Sequence, residues 1–431
     1  MKVKNIKLKN FRCFEELDIV LNERCNVIVG VNGAGKSTIL DALAISIGTY
    51  FAKIPTAYSL PIQKEDILRK SFLTGSIIST EYQFPVVIST KGIVCDEHIE
   101  WEREINGLKN KTTVKNASSL IKIGHTQQQN IQNGNTDTIL PIIAYYDTGR
   151  LYKKKNNRSS KEGTKKSSRL DGYTDALSSG TNEKQLLRWF EDMTLIKIQE
   201  DREIPELKMV KTAIEKCFEI GNKDVTDVSI NYSVKSKDIE VSYRKNNEIE
   251  KLPLHMFSDG IRITLTMVAD IATRMAKLNP QLLDNVLETP GVILIDEIDM
   301  HLHPSWQSKI ITSLLETFTN VQIITTTHSP IVISNIKSEY LRILKNNEIM
   351  NPPINYNREL DDIVNNIMET DYRPEEVRNL INQINQNIDN EDLEEAKELL
   401  DNLKNILGET DSEVVSARNS IELEEFFKEL E

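Results

Sequence analysis

The stretch LIDEIDMHLHPSWQ, residues 294–307, concentrates groups that do chemistry. Asp296, Glu297, His301 and His303 stand within eight residues, with Asp299 between them. Paired carboxylates beside an H-x-H pair suit the metal site of a hydrolase, since alternate residues of an extended chain share a face. The same acids at the end of an apolar strand suit a site that serves a bound nucleotide. The stretch by itself leaves both readings open. No further His or Cys stands nearby to complete a metal's ligand set.

A second motif bears on the choice. GVNGAGKS, Gly30 to Ser37, satisfies G-x-x-x-x-G-K-[ST], and it follows an apolar strand pattern, CNVIVG, and precedes an apolar helical one, STILDALAISIGTYF. That order gives a phosphate-binding loop its context. Gly33 and Gly35 let backbone N–H groups turn inward around phosphate, with Asn32 and Thr38 flanking, and the helix N-terminus adds partial positive charge. Lys36 is expected to reach the β- and γ-phosphates of ATP, and Ser37 to ligate Mg²⁺. Such a loop requires an acid at the end of a neighbouring apolar strand, and VILIDE supplies it. Asp296 is then the acid that binds Mg²⁺ through water, and Glu297 the group that orients or deprotonates the attacking water.

The elements that must position these residues follow from periodicity. Residues 2–9, 17–22 and 25–30 read as strands, as do 77–90, 98–105 and 140–146. Residues 106–137 are rich in Asn, Gln, Thr and Lys and read as a loop or insertion. A hairpin is expected over 225–234 and 238–244, then a long helix opened by FSDGIR. GVILIDE and VQIITTTHS, at 321–329, are two apolar strands ending in polar residues, as central parallel strands do. Beyond 356 the pattern is helical, with one apolar face through Val377, Leu380, Ile381, Ile384 and Ile388 and another through Leu393, Ala396, Leu400, Leu403 and Leu407. Strands alternating with helices imply an α/β fold with its ligand at the strands' carboxyl ends.

Composition sets limits on the partners. The net charge of −12 over 431 residues gives no general attraction to a polyanion, so any nucleic-acid contact must be local. Residues 150–169, RLYKKKNNRSSKEGTKKSSR, are the one strongly basic segment, and a nucleic-acid contact and a solvated loop are equally open there. No apolar run is long enough for a membrane span, and the start lacks a signal peptide's apolar block. Cys13, Cys25, Cys95 and Cys217 form no C-x-x-C pair and read as reduced, mostly buried thiols, which suits a cytoplasmic protein.

Five ordered elements, LKNFRCFEELDIVL, GVNGAGKSTILDAL, FSDGIR, LIDEID and TTTHS, resemble the ABC-type ATPases of the SMC, RecF and Old group. The resemblance implies an ABC-ATPase head: a P-loop NTPase sheet with an antiparallel β subdomain, here with a helical insertion and a C-terminal helical region. It implies ATP-driven head-to-tail dimers in which Ser258 and Gly260 of the signature loop cap the γ-phosphate held by the other subunit. Asp259 departs from the usual small residue, and Arg262 is placed to offset its charge. His328 corresponds to the switch histidine and Asp299, with His301 and His303, to the loop crossing the dimer seam. Gln63 is the candidate glutamine of the Mg²⁺ shell, with Gln83 as runner-up. The implied organisation is an N-terminal ATPase lobe over 1–105, a polar, basic and helical insertion over 106–190, a C-terminal ATPase lobe over 191–336 and an acidic helical region over 337–431.

Residues 106–250 contain no coiled coil, which excludes a chromosome-spanning tether, and the opening and insertion are foreign to transporter subunits. No Glu with D-x-D set of a Toprim nuclease is found after 337, so a nuclease of its own is not expected. LPIIAYYDTGRLY, SRLDGYTDALSSGTNEKQLLRWF, DEIDMHLHPSWQ and the tail from YNRELDD resemble bacterial relatives of the Septu antiphage ATPase, PtuA. That resemblance implies a defence ATPase acting with a separate HNH nuclease (PtuB-like), in some systems also with a retron reverse transcriptase and its RNA–DNA product. A RecF-like repair or recombination ATPase and a non-hydrolysing nucleotide-switch scaffold are the alternatives.

Overall fold

The structure, a computed structural model, describes residues 1–74, 77–151, 168–177, 183–222, 224–350, 363, 373–390 and 392–430. Most of the basic stretch 150–169 and part of the segment after 350 lie outside the described residues. The chain forms two compact units, Met1–Ile363 and Val364–Glu431.

The first unit begins with three strands, β1 (Lys2–Phe11), β2 (Phe14–Val20) and β3 (Cys25–Val29), then helix α1 (Lys36–Ile47). Four strands follow, β4 (Arg69–Thr74), β5 (Ile77–Tyr82), β6 (Val86–Val94) and β7 (Glu97–Ile105), then α2 (Ser118–Gln132) and β8 (Ile142–Tyr146). Helices α3 (Glu183–Glu200) and α4 (Pro205–Gly221) lead to β9 (Val225–Ser233), β10 (Asp238–Lys245) and β11 (Glu248–Pro253). The last third holds α5 (Asp259–Leu278), β12 (Gly291–Ile295), α6 (Pro304–Gln307), α7 (Ile310–Thr317), β13 (Val321–Thr326), α8 (Pro330–Ser334), β14 (Leu341–Lys345) and β15 (Glu348–Met350).

The central sheet has six strands in the order β15-β14-β3-β13-β12-β8, all parallel except β15. Strands β3, β13, β12 and β8 (CNVIV, VQIITT, GVILI and IIAYY) are buried at every residue, because helices and the second sheet cover both faces. The sheet order brings the carboxyl ends of β3, β13 and β12 side by side. A four-stranded antiparallel sheet, β2-β1-β6-β7, lies across α1, and β6 alternates buried and less buried residues as a one-sided sheet must. Helix α1 is clamped between the two sheets. On the antiparallel side, buried Trp101 donates its indole N–H to Ser46 Oγ at 2.7 Å, which bonds Thr90 Oγ1 at 2.6 Å.

Several elements differ from the sequence reading. Residues 118–132, expected as loop, form α2, whose inward residues are Leu120, Gly124, Gln127 and Gln128. Only one of the four is a large apolar group, so the helical stripe is faint in the sequence. Gln127 bonds the buried Tyr50 hydroxyl and a Cβ on Gly124 would fall 2.3 Å from the Tyr50 carbonyl oxygen, so polar pairing and close approach replace an apolar face. The single strand expected over 77–90 is two, broken at Pro85: β5 pairs with β4 and β6 with β1. The stretch after 337 supplies β14 and β15 of the central sheet after a single short 3-10 turn, Ser338–Tyr340, and the sheet also takes β8 from within 106–190. Two of the four cysteines, Cys13 and Cys95, are exposed, whereas Cys25 and Cys217 are buried; all four are free thiols.

The second unit is helical: α9 (Glu375–Asp389), α10 (Leu393–Leu407) and α11 (Ser412–Leu430). Its core gathers Val377, Ile384, Ala396, Leu400, Leu403, Val414, Ala417 and Ile421, with Leu380, Ile381, Ile388 and Leu407 packed against it. Both apolar faces read from the sequence are therefore interior faces of this unit.

Candidate functional site

The loop between β3 and α1 turns through two left-handed residues, Gly33 at φ 79° and Gly35 at φ 102°. Gly35 is also hemmed in, since a Cβ there would fall 2.6 Å from the Phe14 ring and 2.7 Å from Cys13 Sγ. Asn32 and Ser37 are exposed while Lys36 and Thr38 are buried, so the loop presents backbone and hydroxyl outward. The Lys36 ammonium folds back to donate to the carbonyls of Gly30 at 2.8 Å and Val31 at 3.0 Å. Those two acceptors hold it at the mouth of the loop, where phosphate oxygens can exchange with them. Burial pulls its pKa down, opposed by Asp296, Glu297 and Asp299. That opposition places three carboxylates within electrostatic reach of the amine.

The carboxylates come from the turn after β12. Asp296 is buried, with its N–H on the Tyr146 carbonyl at 2.8 Å and its Oδ1 accepting from the Thr326 hydroxyl at 2.5 Å. Glu297, half-buried, sits at φ 47°, a left-handed conformation that non-glycine residues rarely adopt. Its N–H donates to the same Thr326 hydroxyl at 2.7 Å. Asp299 Oδ1 accepts from the Thr327 hydroxyl at 2.6 Å, and Ser329 Oγ donates to Gln307 Oε1 at 2.7 Å. The polar residues at the end of β13 thus tie down the whole 296–307 turn. His328 stands half-buried among them, its pKa lowered by burial and by Lys36, against the pull of Glu297, Asp299 and Asp296. A neutral imidazole beside a lysine can accept or donate a hydrogen bond without adding charge.

The sequence-predicted residues therefore divide. Lys36, Asp296, Glu297 and His328 converge, and Asn32, Gly33, Gly35, Ser37 and Thr38 lie on the loop or first turn beside Lys36. Ser258 is the exposed N-cap of α5 and makes no capping bond with its side chain. Arg262 pairs with Asp259 at 2.8 Å, which offsets the charge of that departure from the resembled motif. Gly260 is buried against the 296–307 turn, where a Cβ would lie 2.1 Å from the His301 carbonyl oxygen. Gln63 is exposed on the Lys64–Asp66 turn, its N–H bonded to Asp66 Oδ2 at 2.8 Å, and Gln83 is also off the loop, its side chain on the Glu81 carbonyl at 3.1 Å. His303 spends Nδ1 on Ser305 Oγ at 2.9 Å as the cap of α6, and His301 is exposed at φ 61°. Among the described residues no group of three or more His, Cys, Asp or Glu is placed to hold a metal ion by itself.

Sequence reasoning passed over two sets of residues. One is the run Thr325, Thr326 and Thr327, whose signal was hydroxyls at the buried end of an apolar strand. The other links the P-loop helix to its surroundings. Asp41 of α1 accepts from the Tyr145 hydroxyl at 2.8 Å and from Arg12 at 2.5 Å, and Arg12 reaches on to Asp66 at 2.8 Å. Tyr145 is held protonated, its pKa raised by burial and by Asp41.

A family model described as "AAA domain, putative AbiEii toxin, Type IV TA system" matches residues 25–334, from the first residue of β3 to the last of α8. The chain belongs to this family of P-loop ATPases. It is 28% identical to the "Retron Ec83 probable ATPase" of Escherichia coli over 87% of this chain and 78% of the relative. It is 25% identical to the "Retron Vc95 probable ATPase" of Vibrio cholerae over 80% of this chain and 73% of that one. Similarity to the "Septu protein PtuA" of Bacillus thuringiensis is 24% over 76% of this chain and 72% of the relative. In this P-loop ATPase the family match covers every element that carries the converging residues, and it ends before the helical unit. Among the described residues no helix is long and apolar enough to cross a membrane.

Proposed function

We propose that the protein binds and hydrolyses ATP, dimerises head to tail through its nucleotide sites, and regulates a separately encoded HNH nuclease in bacterial antiphage defence. The convergence of Lys36, Asp296, Glu297 and His328 at neighbouring strand ends carries the ATPase reading. The names of the retron and Septu relatives support the defence setting. A retron-type partner, a reverse transcriptase with its nucleic acid, belongs to the same reading.

The residues present suit a nucleotide with a divalent ion. The loop offers left-handed glycines, an exposed Ser37 and a retractable ammonium, and a buried carboxylate faces it. Ser37 and Asp296 would hold Mg²⁺. Gln63 remains a proposed third ligand, supported by the Asp66–Arg12–Asp41 link that ties its turn to the P-loop helix. When bound, the ion spreads the charge developing on the transferred phosphoryl group. Lys36 leaves the Gly30 and Val31 carbonyls for the β- and γ-phosphates. Glu297 takes a proton from, or orients, the attacking water, and His328 hydrogen-bonds near the γ-phosphate. Ser258 and the α5 N-terminus close on the γ-phosphate of the other subunit, an arrangement suited to an anion.

The test is ATP turnover with Mg²⁺ for the wild type and Glu297→Gln, together with copurification of products of neighbouring genes. Turnover lost in the variant and an HNH protein recovered with the wild type are expected. A wild type no faster than the variant, alone or with its partner, would leave a nucleotide-switch scaffold. Copurified recombination proteins in place of a nuclease would indicate repair.

A further inference from the structure

We infer that Thr326 is a positioning residue for hydrolysis: its one hydroxyl sets the geometry of both acids of the site. This rests on the ATPase reading above but concerns a residue that the P-loop and acid motifs do not include. The side chain is fully buried at the last position of β13, facing the turn that follows β12. Its oxygen accepts the Glu297 N–H at 2.7 Å, and its proton goes to Asp296 Oδ1 at 2.5 Å. The backbone of the same residue accepts the Ile298 N–H at 3.0 Å. Three successive residues of the acidic turn are therefore fastened to one threonine.

The consequence follows from what each bond fixes. Donation to Oδ1 fixes the rotation of the Asp296 carboxylate about its last bond, and so the face it shows to the loop. Acceptance from Glu297 N–H holds a left-handed backbone, φ 47°, that a residue with a Cβ rarely adopts. Without that anchor the backbone can relax toward an ordinary conformation, and the Glu297 carboxylate swings with it. The neighbours do related work on other parts of the turn: Thr325 Oγ1 donates to the Ile295 carbonyl at 2.7 Å, and Thr327 Oγ1 to Asp299 at 2.6 Å. Of the three threonines, Thr326 is the one whose side chain bonds both Asp296 and Glu297.

The test compares Thr326→Val, which keeps the side chain's shape and drops the hydroxyl, with Thr326→Ser, which keeps the hydroxyl. Loss of a hydrogen bond to a charged group corresponds to a rate loss of about 10- to 100-fold. Thr326→Val is expected to lower kcat by that factor while KM for ATP stays within about threefold, and Thr326→Ser to recover most of kcat. Hydrogen exchange of the peptide spanning 294–299, followed without nucleotide, reads the same geometry independently: Val should speed it and Ser should not. Wild-type turnover with neither kcat nor exchange altered in Thr326→Val would overturn the inference. So would equal losses in kcat, KM and melting temperature that Ser fails to rescue. A wild type without turnover, but with exchange responding as expected, would refute the ATPase reading and leave the positioning of the two acids standing.

Discussion

Gly260→Ala is the substitution on which ordinary helix rules and this structure disagree. Gly260 is the second residue of α5, in helical conformation, and Gly to Ala in a helix normally stabilises by about 1 kcal/mol. Here the added Cβ would lie 2.1 Å from the His301 carbonyl oxygen, 2.7 Å from its carbonyl carbon and 3.2 Å from Leu302 Cα. Carbon–oxygen contacts of this kind settle at roughly 3.3–3.6 Å, so the helix start and the turn must part by more than ~1 Å. Neither side is a flexible chain end. The turn is pinned by Leu302 N–H on the Asp299 carbonyl at 3.1 Å and by Gln307 on the Leu302 carbonyl at 2.9 Å. Overpacking costs about 1–3 kcal/mol, and with a rigid backbone on both sides the upper half of that range applies. Subtracting the helix gain leaves a net loss of about 1–2 kcal/mol, which in a unit of this size is a fall in melting temperature of roughly 1–3 °C. Gly134→Ala is the comparison: φ 79° with nothing within 4 Å of the added Cβ, so it carries backbone strain alone. Both variants should melt lower than the wild type by calorimetry, but only Gly260→Ala should slow ATP turnover, because only it moves the start of α5 against the acidic turn. A Gly260→Ala protein that melts at or above the wild-type temperature would refute the steric argument outright.

Glu297→Gln should abolish turnover, keep nucleotide affinity within a few-fold, and accumulate ATP-bound dimers visible by sizing in ATP and Mg²⁺. The His328 pKa is lowered by burial and then by Lys36, so an NMR titration should place its midpoint below the usual 6.5 and Lys36→Met should raise it. As pH falls the unfolded chain binds the extra proton first, so this histidine's contribution to stability is full above pH 6.5 and is lost as pH falls through the folded midpoint. Arg274 pairs with Asp270 at 2.8 Å, with side-chain exposures of 14% and 23%, and also donates to the Thr174 carbonyl at 2.8 Å. Arg274→Met should therefore cost about 3–5 kcal/mol in urea unfolding, whereas Lys208→Met, which breaks an exposed pair with Asp284, should cost under ~1 kcal/mol.

How much of this was legible depended on whether a residue's role is local in sequence. The P-loop was legible because a phosphate loop needs its glycines, lysine and hydroxyl at fixed short spacings between a strand and a helix. The β12 and β13 strands were legible because burial on both faces demands unbroken apolar runs. Helix α2 was missed for the converse reason: its interior contact is made by Leu120, Gly124 and two glutamines, and one large apolar residue makes no period. The β4–β5 hairpin was misjoined because nothing local says that Ile77–Tyr82 turns back on Arg69–Thr74 while Val86–Val94 pairs with β1.

The opening stretch shows the same division at the scale of single atoms. Asp296 and Glu297 could be picked out because an acid pair ending an apolar strand has few other uses. Their positioning could not, since it depends on residues about thirty positions away and on which strand lies next to which. Order β3-β13-β12 puts the strand that carries TTTHS between the P-loop strand and the acid strand. A threonine at the end of that middle strand bonds both acids, and a histidine two residues on feels the charge of both the lysine and the carboxylates. His301 and His303, which made the stretch look like a metal site, instead shape the turn: one lends its carbonyl to the packing of Gly260 and the other caps α6. In the proposed reading the chemistry of the turn is set by its two acids, and its shape comes from β13 and the start of α5. Hence a change in the α5 start, as in Gly260→Ala, reaches hydrolysis without touching an acid.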